Sequence, residues 1–172
     1  MNIIAGSGKD QFYTPAYAIE PILGFLKPNS KVWCPFDTKE SLFVSKFQNE
    51  GHTVIHTHIW DGVDFFKHNV ECDYIISNPP YSIKADVFER LFKLGKPFAM
   101  LVGVVGLFES QRRFEMFRDN VFEILYLNRR VSYFEKYEDQ KPKLNPPFSS
   151  VYVTSKILPE KIMFAEIDKC NT

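Results

Sequence analysis

The sequence is poor in cysteine, lacks a long hydrophobic run and has no excess of either charge. Cys34, Cys72 and Cys170 are widely spaced and odd in number, so they form neither a disulfide framework nor a zinc-binding pattern. No apolar run reaches membrane-spanning length, and the first residues lack the apolar core of a signal peptide. These absences predict a soluble cytoplasmic protein in a reducing compartment, with no membrane partner.

The charge balance does not point to a dedicated nucleic-acid-binding protein. The chain has 21 Lys and Arg against 21 Asp and Glu, whereas such proteins usually carry a basic excess. A nucleic-acid partner, most simply DNA, would therefore have to be met by a local patch. Arg129 and Arg130 lie beside an aromatic segment and are the candidates for phosphate contact. Arg112 and Arg113 are explained equally well by a solvated helix face.

Residues 1–172 have the composition of one globular domain. Hydrophobic residues make up 45% and charged residues 24% of the chain, and this length suffices for one core. Strand-like and helix-like segments alternate. This order predicts an α/β fold in which a mostly parallel central sheet is covered by helices on both faces. Most of the 17 Phe are expected in that core.

The element boundaries are predicted from apolar periodicity and capping residues. Strands are predicted at residues 31–34, 53–59, 73–77, 97–105, 122–127 and 149–154. Helices are predicted at residues 14–26, from a capping box at 37–40 to Gly51, around 87–94 and at 110–119. Residues 129–148 combine basic and aromatic side chains with turn-forming residues, so we expect a mobile functional loop there.

One tetrapeptide carries the clearest chemical signal. Asn78-Pro79-Pro80-Tyr81, here called the 78–81 loop, follows the buried strand predicted at 73–77. Two prolines fix the backbone and remove two N–H donors, so the loop presents mainly acceptors, which suit a neutral amino group. Ligands of open α/β sheets bind beyond the carboxyl ends of the strands. We expect a catalytic role, with Tyr81 stacking on a ring; a rigid strand-to-helix turn is the alternative.

The segment at 73–81, ending in the 78–81 loop, resembles the catalytic motif of the amino-methyltransferases. These enzymes depend on S-adenosylmethionine (SAM) and methylate adenine N6, with relatives acting on cytosine, guanine or protein glutamine. Three further segments are similar to the family's motifs: residues 10–15 to the N-terminal SAM motif, 63–66 to the motif that meets the SAM adenine, and 147–153 to the late strand near the target base. Their order matches the subclass in which the SAM motifs come first.

The resemblance implies a Rossmann-like methyltransferase fold and assigns roles to individual residues. The implied catalytic residues are Asn78, Pro79, Pro80 and Tyr81. The implied SAM contacts are Phe12, Tyr13, Thr14, Pro35, Phe36, Asp37, His58, Asp64 and Phe65. Asn78, Thr14 and Asp64 should lie on one side of the sheet. The form implied is compact, like those of phages and mobile elements, with no separate target-recognition domain.

The chain departs from the family after the first strand. The family has an acidic residue, Pro, Phe and then a Gly-x-Gly turn, whereas here Cys34 replaces the acid and Thr38 and Glu40 replace the glycines. Glycine allows close backbone approach to a ligand, so these changes predict weak SAM binding. Asp37 is the candidate to replace the acid, and His56 or His58 stands where an acid usually holds the ribose.

Three functions are compatible with the sequence. The first is an active DNA adenine-N6 methyltransferase. The second is a catalytically degenerate protein of the same fold that binds nucleic acid or a protein partner. The third is an RNA or protein-amide methyltransferase, which the neutral charge favours over duplex DNA. No metal is expected, because His56 and His58 lack a third ligand at useful spacing.

Overall fold

The computed structural model of the chain describes residues 13–138, 140–144 and 146–170. The strands in these ranges are β1 Lys31–Cys34, β2 Thr53–His56, β3 Tyr74–Ser77, β4 Phe98–Gly103, β5 Glu123–Leu127, β6 Tyr133–Phe134, β7 Pro142–Leu144, β8 Ser150–Ser155 and β9 Ile162–Ala165. The helices are α1 Ala16–Leu23, α2 Leu42–Asn49, α3 Lys84–Leu94 and α4 Gln111–Arg118, with 3₁₀ turns at Ile59–Asp61 and Tyr81–Ile83.

Seven strands form one sheet in the order β2-β1-β3-β4-β8-β5-β9. The pairs β1–β2, β1–β3, β3–β4 and β5–β9 are parallel, and β8 runs antiparallel to both of its neighbours. The predicted α/β class with a mostly parallel sheet is therefore confirmed. Of the helices in the described ranges, none combines the length and the apolarity needed to cross a membrane.

Helices cover both faces of the sheet. Successive residues of a strand point to opposite faces, so the apolar side chains of one strand pack into two separate cores. Val32 of β1 belongs to a core cluster shared with α1 and α2, whereas Trp33 belongs to a second cluster shared with α3 and α4. The same alternation continues along β4, where all six residues are buried. This two-sided burial explains why the strand at 97–105 is the most apolar run of the sequence.

Several predicted boundaries shift, each for a local reason. The helix predicted at 14–26 is α1, which begins only after Pro15, whose backbone is extended (φ −71°, ψ 154°). The strand predicted at 53–59 ends at His56, because His58 opens a 3₁₀ turn that Gly62 closes at φ 77°. β9, the edge strand that completes the seven-stranded sheet, lies outside the predicted strands.

The capping box predicted at 37–40 is wrong. The N-cap of α2 is Ser41, whose side chain accepts a hydrogen bond from the Phe43 N–H. Asp37 is buried instead of lying at the helix surface. The pattern of Asp37 followed three residues later by Glu40 satisfied a local rule, but tertiary contacts of Asp37 decided the outcome.

The topology places one crevice at the carboxyl ends of β1 and β3. The chain passes from β1 through α2 to β2 on one side, then returns to β3 on the other side of β1. This reversal of strand order is the switch point at which open α/β sheets bind ligands. The 78–81 loop begins directly after β3, so it borders this crevice.

Residues 129–148 contain the hairpin of β6 and β7. The backbone of Phe134 exchanges two hydrogen bonds with Tyr13, at 3.1 and 2.9 Å. This bridge ties the hairpin to the segment that precedes α1. Arg129 and Arg130 are exposed at its start. Mobility of the segment stays a prediction.

Candidate active site

Asn78 is held at the carboxyl end of β3 by a hydrogen bond to the N-terminal segment. Its Nδ2 donates to Thr14 Oγ1 at 3.2 Å, and Thr14 is 2% exposed. The bond fixes the amide orientation and therefore the direction of the acceptor oxygen Oδ1. Two segments that are 64 residues apart, and that the sequence singled out separately, thus meet at one point.

The prolines give the 78–81 loop its shape. Pro79 is buried, and Pro80 (φ −56°, ψ 129°) opens the 3₁₀ turn Tyr81–Ile83. The Pro80 carbonyl accepts the Ile83 N–H at 3.3 Å. The turn leads without a break into α3, so Tyr81 is carried on the first residues of a continuous helical segment.

Tyr81 lies in an aromatic corner formed with Phe148. Their ring centroids are 5.8 Å apart at 67°, an edge-to-face contact. The Phe148 ring rests on Gly103, where an added Cβ would lie 2.6 Å from Phe148 Cε2. Gly103 therefore supplies the space for the ring, a requirement that the sequence alone did not reveal.

Hydrogen bonds between hydroxyl groups hold the Tyr81 side chain in this position. Tyr133 Oη lies 2.7 Å from Ser150 Oγ, and the Tyr133 hydroxyl also bonds to Tyr81. Burial raises the pKa of Tyr133 to about 12, while the bonds to Ser150 and Tyr81 act in the opposite direction. Tyr133 therefore stays a neutral phenol that positions Tyr81. It lies in the 129–148 segment, whose inward-facing residues had not been assigned to the site.

Asp37 joins three elements at the switch point. Its Oδ1 accepts the Ser41 hydroxyl and its Oδ2 accepts the Ser77 hydroxyl, both at 2.5 Å. Asp37 follows β1, Ser41 caps α2 and Ser77 ends β3. Burial raises the pKa of Asp37 to about 6, while the two serine hydroxyls and nearby His56 act in the opposite direction. Both carboxylate oxygens thus already accept hydrogen bonds from the chain.

Cys34 supplies no charge at the end of β1. Its side chain is fully buried, and burial raises the pKa of its thiol well above the usual value. Pro35 is buried and Phe36 is half-buried. The thiol is therefore neutral where the family has an acid.

The two histidines near the end of β2 differ in their contacts. His58 is buried, its Nδ1 accepts the Trp60 N–H at 3.1 Å, and burial lowers the pKa of its ring. His56 ends β2, and its buried Nδ1 makes no hydrogen bond within the described residues. Trp60 is 62% exposed beside them. In the part of the chain that the structure describes, no three potential metal ligands lie together.

Asp64 and Phe65 lie against the end of β1. Phe65 is buried and contacts the Phe36 ring at 5.0 Å. Asp64 is half-buried; its Oδ1 accepts the Phe66 N–H at 2.9 Å, and its Oδ2 lies 3.7 Å from Lys67 Nζ. The carboxylate is thus shared between its own turn and a surface lysine.

Tyr13 brings the hairpin segment to the crevice. Its ring lies 4.2 Å from that of Tyr137, and Tyr137 also bonds to the Ser41 side chain. Burial, followed by the neighbouring Asp37, raises the pKa of Tyr137. Tyr137 was not among the predicted SAM contacts. Phe12, which was, lies outside the described residues.

The crevice fits one end of SAM better than the other. His56 offers a buried ring nitrogen without a partner in the described residues, which suits a ribose hydroxyl. Asp64 and Phe36 offer a carboxylate and an aromatic edge for the adenine. At the amino-acid end, Cys34 is neutral and Asp37 already accepts two hydroxyls. The residues present therefore fit the nucleoside and leave the ammonium without its usual partner.

Comparison with known proteins gives the fold. No family model and no curated protein matches the chain. The type I restriction-modification methyltransferase subunit of Streptococcus thermophilus aligns with a TM-score of 0.52 at 13% identity, over 93% of this chain and 48% of that one. A protein described as a modification subunit of a type I restriction enzyme from Vibrio vulnificus aligns with a TM-score of 0.51 at 12% identity, over 94% and 48%.

A third solved structure, a TehB-like SAM-dependent methyltransferase from Corynebacterium glutamicum, aligns over 82% of this chain and 86% of that one, with 12% identity and a TM-score of 0.47. The chain spans about half the length of the two restriction-modification subunits, 48% in each case. The likeness to those two subunits shows that this chain shares their α/β, Rossmann-like fold.

Proposed function

We propose that the chain transfers the methyl group of SAM to an exocyclic amino group, with adenine N6 in DNA as the acceptor. The observation that carries the proposal is the placement of Asn78 at the carboxyl end of β3, beside the switch point, with its amide oriented by Thr14. The resemblance of residues 73–81 to the amino-methyltransferase motif supports the same reading. The TM-scores support only the fold.

The 78–81 loop would hold the acceptor in position. Asn78 Oδ1 and the Pro79 carbonyl would accept the two amino hydrogens, which keeps the nitrogen lone pair out of conjugation with the ring. Tyr81 and Phe148 would hold a base flipped out of its stack. When bound, SAM would supply an electrophilic methyl group, and its sulfur would keep the electron pair of the broken S–CH₃ bond as a neutral thioether. The amino nitrogen loses its proton to water only after it has gained the methyl, so no strong base is required and positioning supplies most of the rate.

The first prediction tests Asn78. Asn78→Ala should lower methyl transfer to DNA at least about a hundredfold, because one of two acceptors is lost at the reacting nitrogen. The melting temperature should change by only a few degrees, since Asn78 is half-buried and packs little. Tritium transfer from labelled SAM to DNA measures the rate.

Asn120→Ala is the matched control for Asn78. This exposed asparagine donates through Nδ2 to the Met116 carbonyl, at the carboxyl end of α4. It should leave methyl transfer unchanged. Equal transfer by the Asn78 and Asn120 variants, or a loss of activity that follows a loss of melting temperature, would show that Asn78 is structural.

A degenerate, non-catalytic protein is the second candidate. The observation that favours it is Asp37, whose two oxygens already accept serine hydroxyls. An RNA or protein-amide acceptor is the third candidate and rests on the zero net charge. The tritium assay with DNA, RNA and protein acceptors separates all three.

A further inference from the structure

A second site lies one turn beyond the 78–81 loop, where α3 begins. Lys84, the first residue of α3, donates through Nζ to the Val105 carbonyl at 3.1 Å. Val105 follows β4 by two residues, and β4 ends at Gly103 under Phe148. Arg113 lies on the first turn of α4, with Nη2 near Gly106. We call these residues the Lys84–Arg113 corner.

The two cations of this corner repel each other. Burial and then the charge of Arg113 lower the pKa of Lys84, and only Glu109 acts in the opposite direction. Arg113 Nε is buried without a hydrogen-bond partner in the described residues. The Glu109 carboxylate also lies near Gly106. Within the described residues it forms no ion pair with Lys84 or Arg113. Among the described residues the corner therefore holds two cations and one carboxylate, Glu109, which leaves it with a net positive charge.

Helix geometry makes this arrangement less favourable still. Lys84 and Arg113 each stand in the first turn of a helix, where the peptide dipoles favour anions and disfavour cations. Neighbouring Arg112 shows the alternative, because it pairs with Asp86 and Glu89. Within the described residues Arg112 has two carboxylate partners and Arg113 has no ion pair, so the surface beside Lys84 is suited to an external anion.

The neighbouring surface is apolar and open. Val105, Phe108 and Phe114 are 59%, 39% and 51% exposed. Cations interleaved with exposed aromatic side chains are typical of surfaces that bind the backbone and bases of nucleic acids. The turn Tyr81–Ile83 joins the 78–81 loop directly to Lys84, so the corner and the loop are neighbours along the chain.

We propose that Lys84 and Arg113 bind a backbone phosphate of the nucleic-acid substrate next to the base that enters the Tyr81–Phe148 corner. The proposal rests on the proposed function for its choice of substrate. The phosphodiester carries one negative charge, so together with Glu109 it would balance the two cations, and it would accept hydrogen bonds from the guanidinium and the ammonium. It would also fix the strand relative to Asn78 without reading its sequence.

The experiment measures DNA binding without SAM, so it does not depend on methyl transfer. Fluorescence anisotropy follows a labelled duplex and a labelled single strand between about 50 and 200 mM salt. The double variant Lys84→Gln, Arg113→Gln should bind about tenfold more weakly, whatever the DNA sequence. The slope of log K against log salt should fall by about 0.9 on the duplex, because the contact to one phosphate is lost.

A control pair stands at the opposite ends of the same two helices. Lys93 in the last turn of α3 pairs with Glu89, and Arg118 in the last turn of α4 pairs with Asp119. The double variant Lys93→Gln, Arg118→Gln changes net charge equally and should keep the parent slope. The swap Lys84→Arg, Arg113→Lys keeps both charges and should keep most of the affinity.

The outcomes separate the two proposals. If both double variants weaken DNA binding equally, the proposed phosphate site is wrong and the effect is one of net charge alone. A parent that binds neither DNA form at low salt would also overturn it. If the parent transfers no methyl group but its DNA binding is lost only in the Lys84–Arg113 variant, the phosphate site stands and the proposed function fails.

Discussion

At the scale of single residues, Asp37 occupies a position expected to bind the ligand, but in the structure it makes hydrogen bonds within the protein. The family resemblance made it the substitute for a missing acid. In the structure it joins β1, α2 and β3 through Ser41 and Ser77. A buried carboxyl that accepts two hydroxyls is well satisfied, yet burial still disfavours its charged form.

This burial predicts a pH dependence of stability. Because the folded pKa of Asp37, about 6, lies above the ordinary aspartate value of 3.8, the folded state holds the proton more tightly between these values. Stability from this group is therefore present below about pH 4 and is lost as pH rises towards and through 6. The loss is about 3 kcal/mol.

Asp37→Asn isolates this effect, because an amide keeps a similar shape without titrating. Urea unfolding of both proteins at several pH values gives the difference in their free energies of unfolding. That difference should shift by about 3 kcal/mol in favour of the variant as pH rises from 4 to 7. A difference that stays constant over this range would mean that Asp37 titrates normally.

At the scale of elements, the strands that are buried on both faces could be predicted and the edge strand could not. The apolar runs of β1, β3 and β4 mark them as central strands, and Gly95, at φ 67°, ends α3 just after the predicted range. β9 is only partly buried and exposes Phe164 to 80%. Its existence depends on parallel pairing with β5, which no local pattern encodes.

The residues of the candidate site also fall into those that the sequence could predict and those that it could not. Asn78 and Tyr81 could be predicted because a motif and a strand end coincide in sequence. Gly103 and Tyr133 could not, because their roles arise from contacts with Phe148 and Ser150 that only the folded sheet creates. The misassigned Asp37 obeyed a local capping rule that its tertiary partners overrode.

The turn between β1 and α2 is the element that should limit SAM binding. Lys39 and Glu40 have exposed side chains there, and the turn lacks the family's glycines. We expect SAM binding weaker than micromolar. Thr38→Gly, Glu40→Gly should tighten it by about tenfold, because the backbone can then approach the ligand.

Calorimetric titration with SAM measures this effect, and Lys39→Ala in the same turn is the control. Cys34→Asp is less suitable, because it would bury a second carboxyl beside Asp37 in the core. Micromolar or tighter binding by the parent, unchanged in the glycine variant, would show that the turn does not restrict SAM.

At the scale of the whole molecule, a neutral chain is proposed to act on a polyanion. The net charge is zero, so attraction to DNA would have to come from local patches such as the Lys84–Arg113 corner. The chain also spans 48% of each restriction-modification subunit that it resembles in fold.

The identity of the methylated nucleoside tests the central claim most directly. Unmethylated DNA is incubated with the protein and labelled SAM, digested to nucleosides and separated by chromatography with mass detection. The account predicts that the label appears in N6-methyladenine, that Asn78→Ala lowers it at least about a hundredfold, and that Asn120→Ala leaves it unchanged. Label in another nucleoside would change the acceptor, and no label in DNA, RNA or protein would contradict the proposed methyl transfer.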